Sequence, residues 1–159
     1  MKQDGRTAGR QDGKAETARS MSTGEVVVSG RAALSARATT EAIRSLLRGE
    51  RRDGFISLHF VGRDRMRELH RRYLGVSRVT DVLAFALRGP DGAVVGDVYV
   101  CPWIAAREAR RRRVPVREEV LRYVVHGVLH VLGYSHPEDG SRLRSPMWRR
   151  QERYVAALR

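Results

Sequence analysis

Cysteine is nearly absent from the 159-residue chain: Cys101 stands alone, so no internal disulfide can form. Lysine is nearly absent too. Lys2 and Lys14 are two of 31 basic residues, and the other 29 are arginine. No stretch approaches the ~20 uninterrupted apolar residues that a membrane-spanning helix needs. Met1–Ser20 is polar where a secretory signal would have an apolar core. There is no internal repeat and no proline-rich linker, and no glycine loop that would cradle a nucleotide cofactor. These absences argue against a disulfide-stapled secreted domain, a membrane protein and a nucleotide-cofactor enzyme, and point to the reducing cytoplasm.

Hydrophobic residues make up 42% of the chain, enough for one packed domain. Acids number 18, so the net charge is +13 and the isoelectric point lies near 11.3. A surplus of this kind on one small domain is the footprint of an anionic partner, nucleic acid first among them. A GC-rich genome would explain arginine over lysine, but not basic over acidic. Residues 1–24 lack apolar periodicity and are expected to form a disordered polar tail of net charge +2, with Met21 an alternative start. Residues 25–159 carry the remaining charge and are expected to form the domain.

Val26–Val28, Phe55–Val61, Asp81–Leu87 and Val94–Val100 have strand character. The last two flank Gly89-Pro90-Asp91-Gly92, a dense turn signal that makes them a hairpin. Helical spacing covers Ala32 to Leu47, Arg65 to Leu74 with Asp64 as its cap, Pro102 to Arg112, Val116 to Leu132, and Ser145 to Leu158. The order βαβαββααα predicts a single α+β domain with a mixed, roughly four-stranded sheet covered by helices.

His126 and His130 are four apart on the fourth predicted helix, so both project from one face. Gly133 permits a sharp turn, which brings His136 back towards them. Three convergent imidazoles with a fourth position open are the donor set of a catalytic zinc. His59 is expected to be an ordinary strand residue and His70 a surface helix residue. The spacing resembles the metzincin protease signature, but the glutamate that serves there as general base is Gly127 here, which disfavours proteolysis.

The run His126-Gly127-Val128-Leu129-His130-Val131-Leu132-Gly133-Tyr134-Ser135-His136 also resembles the motif of the YbeY endoribonuclease, or rRNA maturation factor, family. Thr80–Phe85, Gly96–Val100, Met147 and Gln151 agree in order and spacing, so the resemblance covers about residues 25–156. It implies an α+β fold and one zinc ion held by His126, His130 and His136. It further implies cleavage of single-stranded RNA, maturation of small-subunit rRNA and a place in ribosome quality control, with the small subunit as partner. Two positions depart from the family pattern. Ser135 replaces the aspartate before the third histidine, and Leu74 replaces an arginine, with Val76, Ser77 and Val79 at the K, D and P positions that follow.

Arg71, Arg72 and Arg78 lie near the missing arginine and are candidates for its role, against a solvated basic face. Asp81 and Asp97 are candidates for the unassigned general base, against capping or ion pairing. An RNA substrate can also supply its own nucleophile, the 2′-hydroxyl. Arg107 and the run Arg110–Arg113, from which Arg110, Arg112 and Arg113 are taken as substrate contacts, end a helix whose dipole also favours cations there. Arg142, Arg144, Arg149, Arg150 and Arg153 form a second basic cluster. Trp103, Tyr134 and Trp148 are candidates for base stacking or for packing. The leading expectation is a zinc-dependent endoribonuclease. The alternative is a ribosome-associated RNA-binding module with a mainly structural zinc.

Overall fold

A computed structural model describes residues 24–89 and 92–159. The expected tail lies outside the described residues apart from Gly24, as do Pro90 and Asp91 of the expected turn. In chain order the elements are β1 (Glu25–Ser29), α1 (Ala36–Gly49), β2 (Gly54–Phe60), α2 (Arg63–Leu74), β3 (Val82–Arg88) and β4 (Val94–Val100). They continue as α3 (Pro102–Arg112), α4 (Val116–Val131), a 3-10 turn (Arg142–Arg144) and α5 (Pro146–Leu158). The expected order is the observed one. The sheet runs β1-β2-β4-β3, parallel except for the antiparallel β3/β4 pair, which makes it a mixed sheet in an α+β domain.

Two helix starts differ from expectation. α1 begins at Ala36 rather than Ala32, because the Ser35 hydroxyl accepts from the Ala38 amide and so satisfies one of the orphan N–H groups of a first turn. Gly62, not Asp64, caps α2; Asp64 stands in the first turn and accepts from Arg67. His70 is a third correction. It is 4% exposed, because the chain reverses at the left-handed Gly75 and brings the Val76 carbonyl to its Nδ1 at 2.7 Å.

α4 is buried on nearly every side from Glu119 to Leu129, with the buried Arg122 paired to Glu119. It lies on β3 and β4 and is flanked by α1, α3 and α5. Its approach to the sheet depends on glycine. A Cβ at Gly127 would overlap Val98 Cγ1 and meet Val82 Cγ1 at 3.0 Å, and a Cβ at Gly96 would overlap Val131. A glutamate at position 127 would therefore be driven into the sheet, so the metzincin base has no room here. Along β4, Val94, Gly96, Val98 and Val100 are buried, whereas Val95, Asp97 and Tyr99 are half-exposed on the other face. There Tyr73 of α2 meets Phe85 of β3 at 4.9 Å between ring centroids.

A candidate metal centre beside an arginine-lined cleft

His126 and His130 stack one turn apart at the end of α4. The helix is capped at Leu132, Gly133 takes φ +95°, and the Tyr134 amide bonds back to the Leu129 carbonyl at 3.0 Å. This reversal returns His136 to the first two. The possible ligand atoms of the three lie within 4.8 Å of one another.

Hydrogen bonds fix which nitrogen faces the centre. His130 Nδ1 donates to the Tyr134 carbonyl at 3.0 Å, and His136 Nδ1 to the Pro137 carbonyl at 3.0 Å. His126 Nδ1 donates to Gln151 Oε1 at 2.7 Å, and that amide is oriented in turn because its Nε2 donates to Glu152. Each Nδ1 thus carries a proton, and each ring turns its Nε2 towards the centre. His126 Nε2 lies 3.0 Å from that of His130 and 3.4 Å from that of His136. Nitrogens at zinc distances of about 2.0–2.1 Å on a tetrahedron stand about 3.3 Å apart. Lone pairs meeting head-on with no proton between them repel unless a cation joins them. The donor set and its spacing therefore fit a first-row divalent ion.

Burial, aided by the neighbouring His130, pushes the His126 imidazole down to about 4, and burial with His136 nearby lowers His130 as well. Both rings are neutral at physiological pH, the form a metal requires. Glu50 supports the turn from α1. It is 6% exposed in its side chain and accepts from the hydroxyls of Tyr134 and Tyr154, each at 2.7 Å, and from Arg150 at 2.8 Å.

His126 opens onto a cleft of about 480 Å³. Its walls come from the 78–81 loop, α3, α4, the 3-10 turn and α5, and carry Arg78, Arg107, Arg111, Arg112, Arg122 and Arg142 together with Asp81 and Trp148. Arg122 is held by Glu118, Glu119 and Glu152. Arg112 pairs with Glu119 and lies 5.6 Å from the Trp148 ring.

The family model described as Endoribonuclease YbeY matches residues 29–159. The chain belongs to the YbeY endoribonuclease family. A YbeY endoribonuclease from Thermotoga maritima is 34% identical over 115 residues, which cover 72% of this chain and 75% of that protein. One from Anaeromyxobacter is 42% identical over 111 residues, covering 67% of this chain and 58% of that one. The solution structure of a Thermotoga maritima protein superposes with a TM-score of 0.62 at 30% identity, covering 84% of this chain and 87% of that one.

In this YbeY chain the expected site residues fall into three groups. His126, His130 and His136 come together, and Arg78 and Arg112 line the same cleft as His126. Arg71 and Arg72 are exposed on the last turn of α2, and Arg110 and Arg113 are exposed at the end of α3; none of the four lines the cleft. On α3 the lining face is Ile104, Arg107, Glu108, Arg111 and Arg112, so helical spacing turns Arg110 and Arg113 away. Arg113 instead ends the helix in a left-handed conformation, φ +57°. Asp97 is a correction. It sits between Gly96 and Val98, both of which face α4, so its carboxylate points from the opposite face of the sheet, away from the histidines. Asp81 lines the cleft, as do Glu108 and Glu119, which are paired with arginines.

Gln151 was legible only as a family match. Its physical signal was a lone polar residue in the buried stripe Met147–Gln151–Val155. Tyr134 is engaged by Glu50 and Arg150, whereas Trp103 is 44% exposed with Arg63 at 4.2 Å and Arg107 at 5.3 Å from its ring centroid. Leu74 is exposed at the end of α2.

Proposed function

We propose that this chain is a zinc-dependent endoribonuclease that cleaves single-stranded RNA, acting in the cytoplasm on small-subunit rRNA in contact with the small ribosomal subunit. The observation that carries this reading is three bare Nε2 atoms converging at the wall of an arginine-lined cleft. Among the described residues no helix is long and apolar enough to cross a membrane.

His126, His130 and His136 hold the ion, with Gln151 and the carbonyls of Tyr134 and Pro137 fixing each ring so that Nε2 faces inward. Bound there, zinc supplies Lewis acidity, lowering the pKa of water towards neutrality and polarising a phosphoryl oxygen. The arginines of the cleft neutralise backbone phosphates and set the register of the strand. Trp148 and Trp103, each with a guanidinium over or beside its ring, offer faces for unpaired bases, which favours a single strand over a duplex. Hydrolysis makes one P–O bond from water, or from the 2′-hydroxyl in a two-step route, and breaks another. The proton lost by the nucleophile is balanced by one gained at the leaving oxygen. Glu108 and Glu119 of the cleft are paired with arginines, which supports giving the proton transfer to Asp81, a carboxylate that accepts from the Val82 amide and the Thr80 hydroxyl.

The test incubates the zinc-loaded protein with a single-stranded rRNA fragment, with and without chelator, beside His130→Ala. Cleavage lost under both treatments supports the nuclease. Salt-sensitive binding without cleavage would instead establish an RNA-binding module with a structural ion.

A further inference from the structure

Six arginines line the cleft, but most are already engaged. Arg122 is held by three glutamates, Arg112 by Glu119, and Arg111 by Glu108. Arg107 lies beside the ring of Trp103. Among the described residues, only Arg78 and Arg142 of the six have guanidinium groups with neither a carboxylate nor an aromatic partner.

The two differ in position. Arg78 is exposed on the loop before β3. Arg142 belongs to the 3-10 turn that follows the third histidine, is half-buried, and lines the cleft with His126. Its Nε is the one buried side-chain nitrogen or oxygen among the described residues that has no hydrogen-bond partner. The nearby Asp139 does not answer it, because that carboxylate accepts from the Ser141 amide and hydroxyl. A buried donor without an acceptor is costly to keep, and it is explained if an acceptor arrives with the substrate.

We propose that Arg142 is a catalytic residue: its guanidinium receives the non-bridging oxygens of the scissile phosphate beside the three histidines. The assignment rests on the nuclease reading above. A planar fork of N–H donors fits a phosphate in two-point contact, as a lysine ammonium does not. Standing in the cleft before the strand enters, it stabilises the charge that grows on those oxygens as the phosphorus adds its fifth ligand.

The test measures kcat and KM of the zinc-loaded protein on a labelled single-stranded rRNA fragment, with bound metal and thermal midpoint recorded for each variant. Arg142→Ala is expected to lower kcat by about 10²–10³-fold with metal content unchanged. Arg142→Lys is expected to recover only a small part, and guanidinium ion in solution to restore part of the alanine variant's rate. Arg37→Ala, on the exposed side of α1, serves as the control at wild-type rate. Cleavage by Arg142→Ala within about threefold of wild type overturns the assignment. So does a loss confined to KM, which would place the side chain on a flanking phosphate. If the alanine variant does not fold, Arg142→Gln decides by the same thresholds. Absence of cleavage by the wild-type protein overturns the nuclease reading, and this assignment with it.

Discussion

His59 and His126 lie on opposite sides of one sheet, and each is held by hydrogen bonds of 2.7 Å, yet they are two kinds of histidine. At His59 both ring nitrogens are taken, Nδ1 by the Ser29 hydroxyl and Nε2 by the Ser57 hydroxyl, and the ring stacks on Tyr99 at 4.9 Å. At His126 only Nδ1 is taken, and Nε2 faces two other bare nitrogens. Burial does not separate the kinds, because His70 is as buried as His126 and stands alone. What marks a ligand is a bare acceptor nitrogen that meets others of its kind: His126 Nε2 faces two, whereas His70, bonded through Nδ1 to the Val76 carbonyl, faces none.

Substitutions at the two histidines and their partners test this difference. The largest effect is expected at His130→Ala. Metal per chain should fall to background and RNA cleavage should drop by more than the about 10–100-fold that follows loss of an outer partner of a ligand. Stoichiometric metal in that variant would put the ion elsewhere.

Gln151→Leu comes next. The residue lies in an apolar stripe, so the fold should persist, but His126 loses the acceptor that fixes its tautomer. Metal affinity measured by competition with a chromogenic chelator should fall about 10–100-fold.

Glu50→Ala should destabilise the protein by about 1–3 kcal/mol in denaturant unfolding, because the Tyr134 and Tyr154 hydroxyls and Arg150 lose their shared acceptor. Acid titration divides the two contributions. Burial raises the Glu50 carboxyl, but its three donors outweigh that and hold it below 4.5, so its contribution is complete above pH 4.5 and fades below it. His126 is depressed from 6.5 to about 4, since folding favours the neutral ring. The stability of metal-stripped protein tied to it is complete above pH 6.5 and falls away towards pH 4. A thermal midpoint that stays flat from pH 6.5 to 4.5 would contradict the burial of a neutral His126.

The smallest effect is expected at His59→Ala. Bound metal should be unchanged and stability should shift by about 1 kcal/mol or less, since the hydrogen bonds to Ser29 and Ser57 are only partly sheltered from water. Loss of metal in this variant would erase the distinction.

Much of this was legible in the sequence. Periodicity delivered the nine principal elements in order, and the β3/β4 hairpin followed from its turn residues. The three-histidine motif was legible because its geometry is local: a helical spacing of four, then a glycine turn. The misjudged positions share a different property. Alternation along β4 predicts that Asp97 and Val98 face opposite ways, but not which face α4 will cover. Arg107 and Arg110 belong to one basic helix, and only the docking of α3 beside α4 decides which of them meets the cleft. His70 looked solvated until the chain after Gly75 folded over it.

The sequence by itself determined the donor set, the cationic character and the fold class, because each follows from residue type and from spacings shorter than one helix. Tertiary structure decided which nitrogens stay bare, which arginines remain without carboxylates, and why position 127 must be glycine. Those answers come from groups distant in sequence, such as Gln151 against His126 and Val98 against Gly127, which meet only when α4 settles between the sheet and α5.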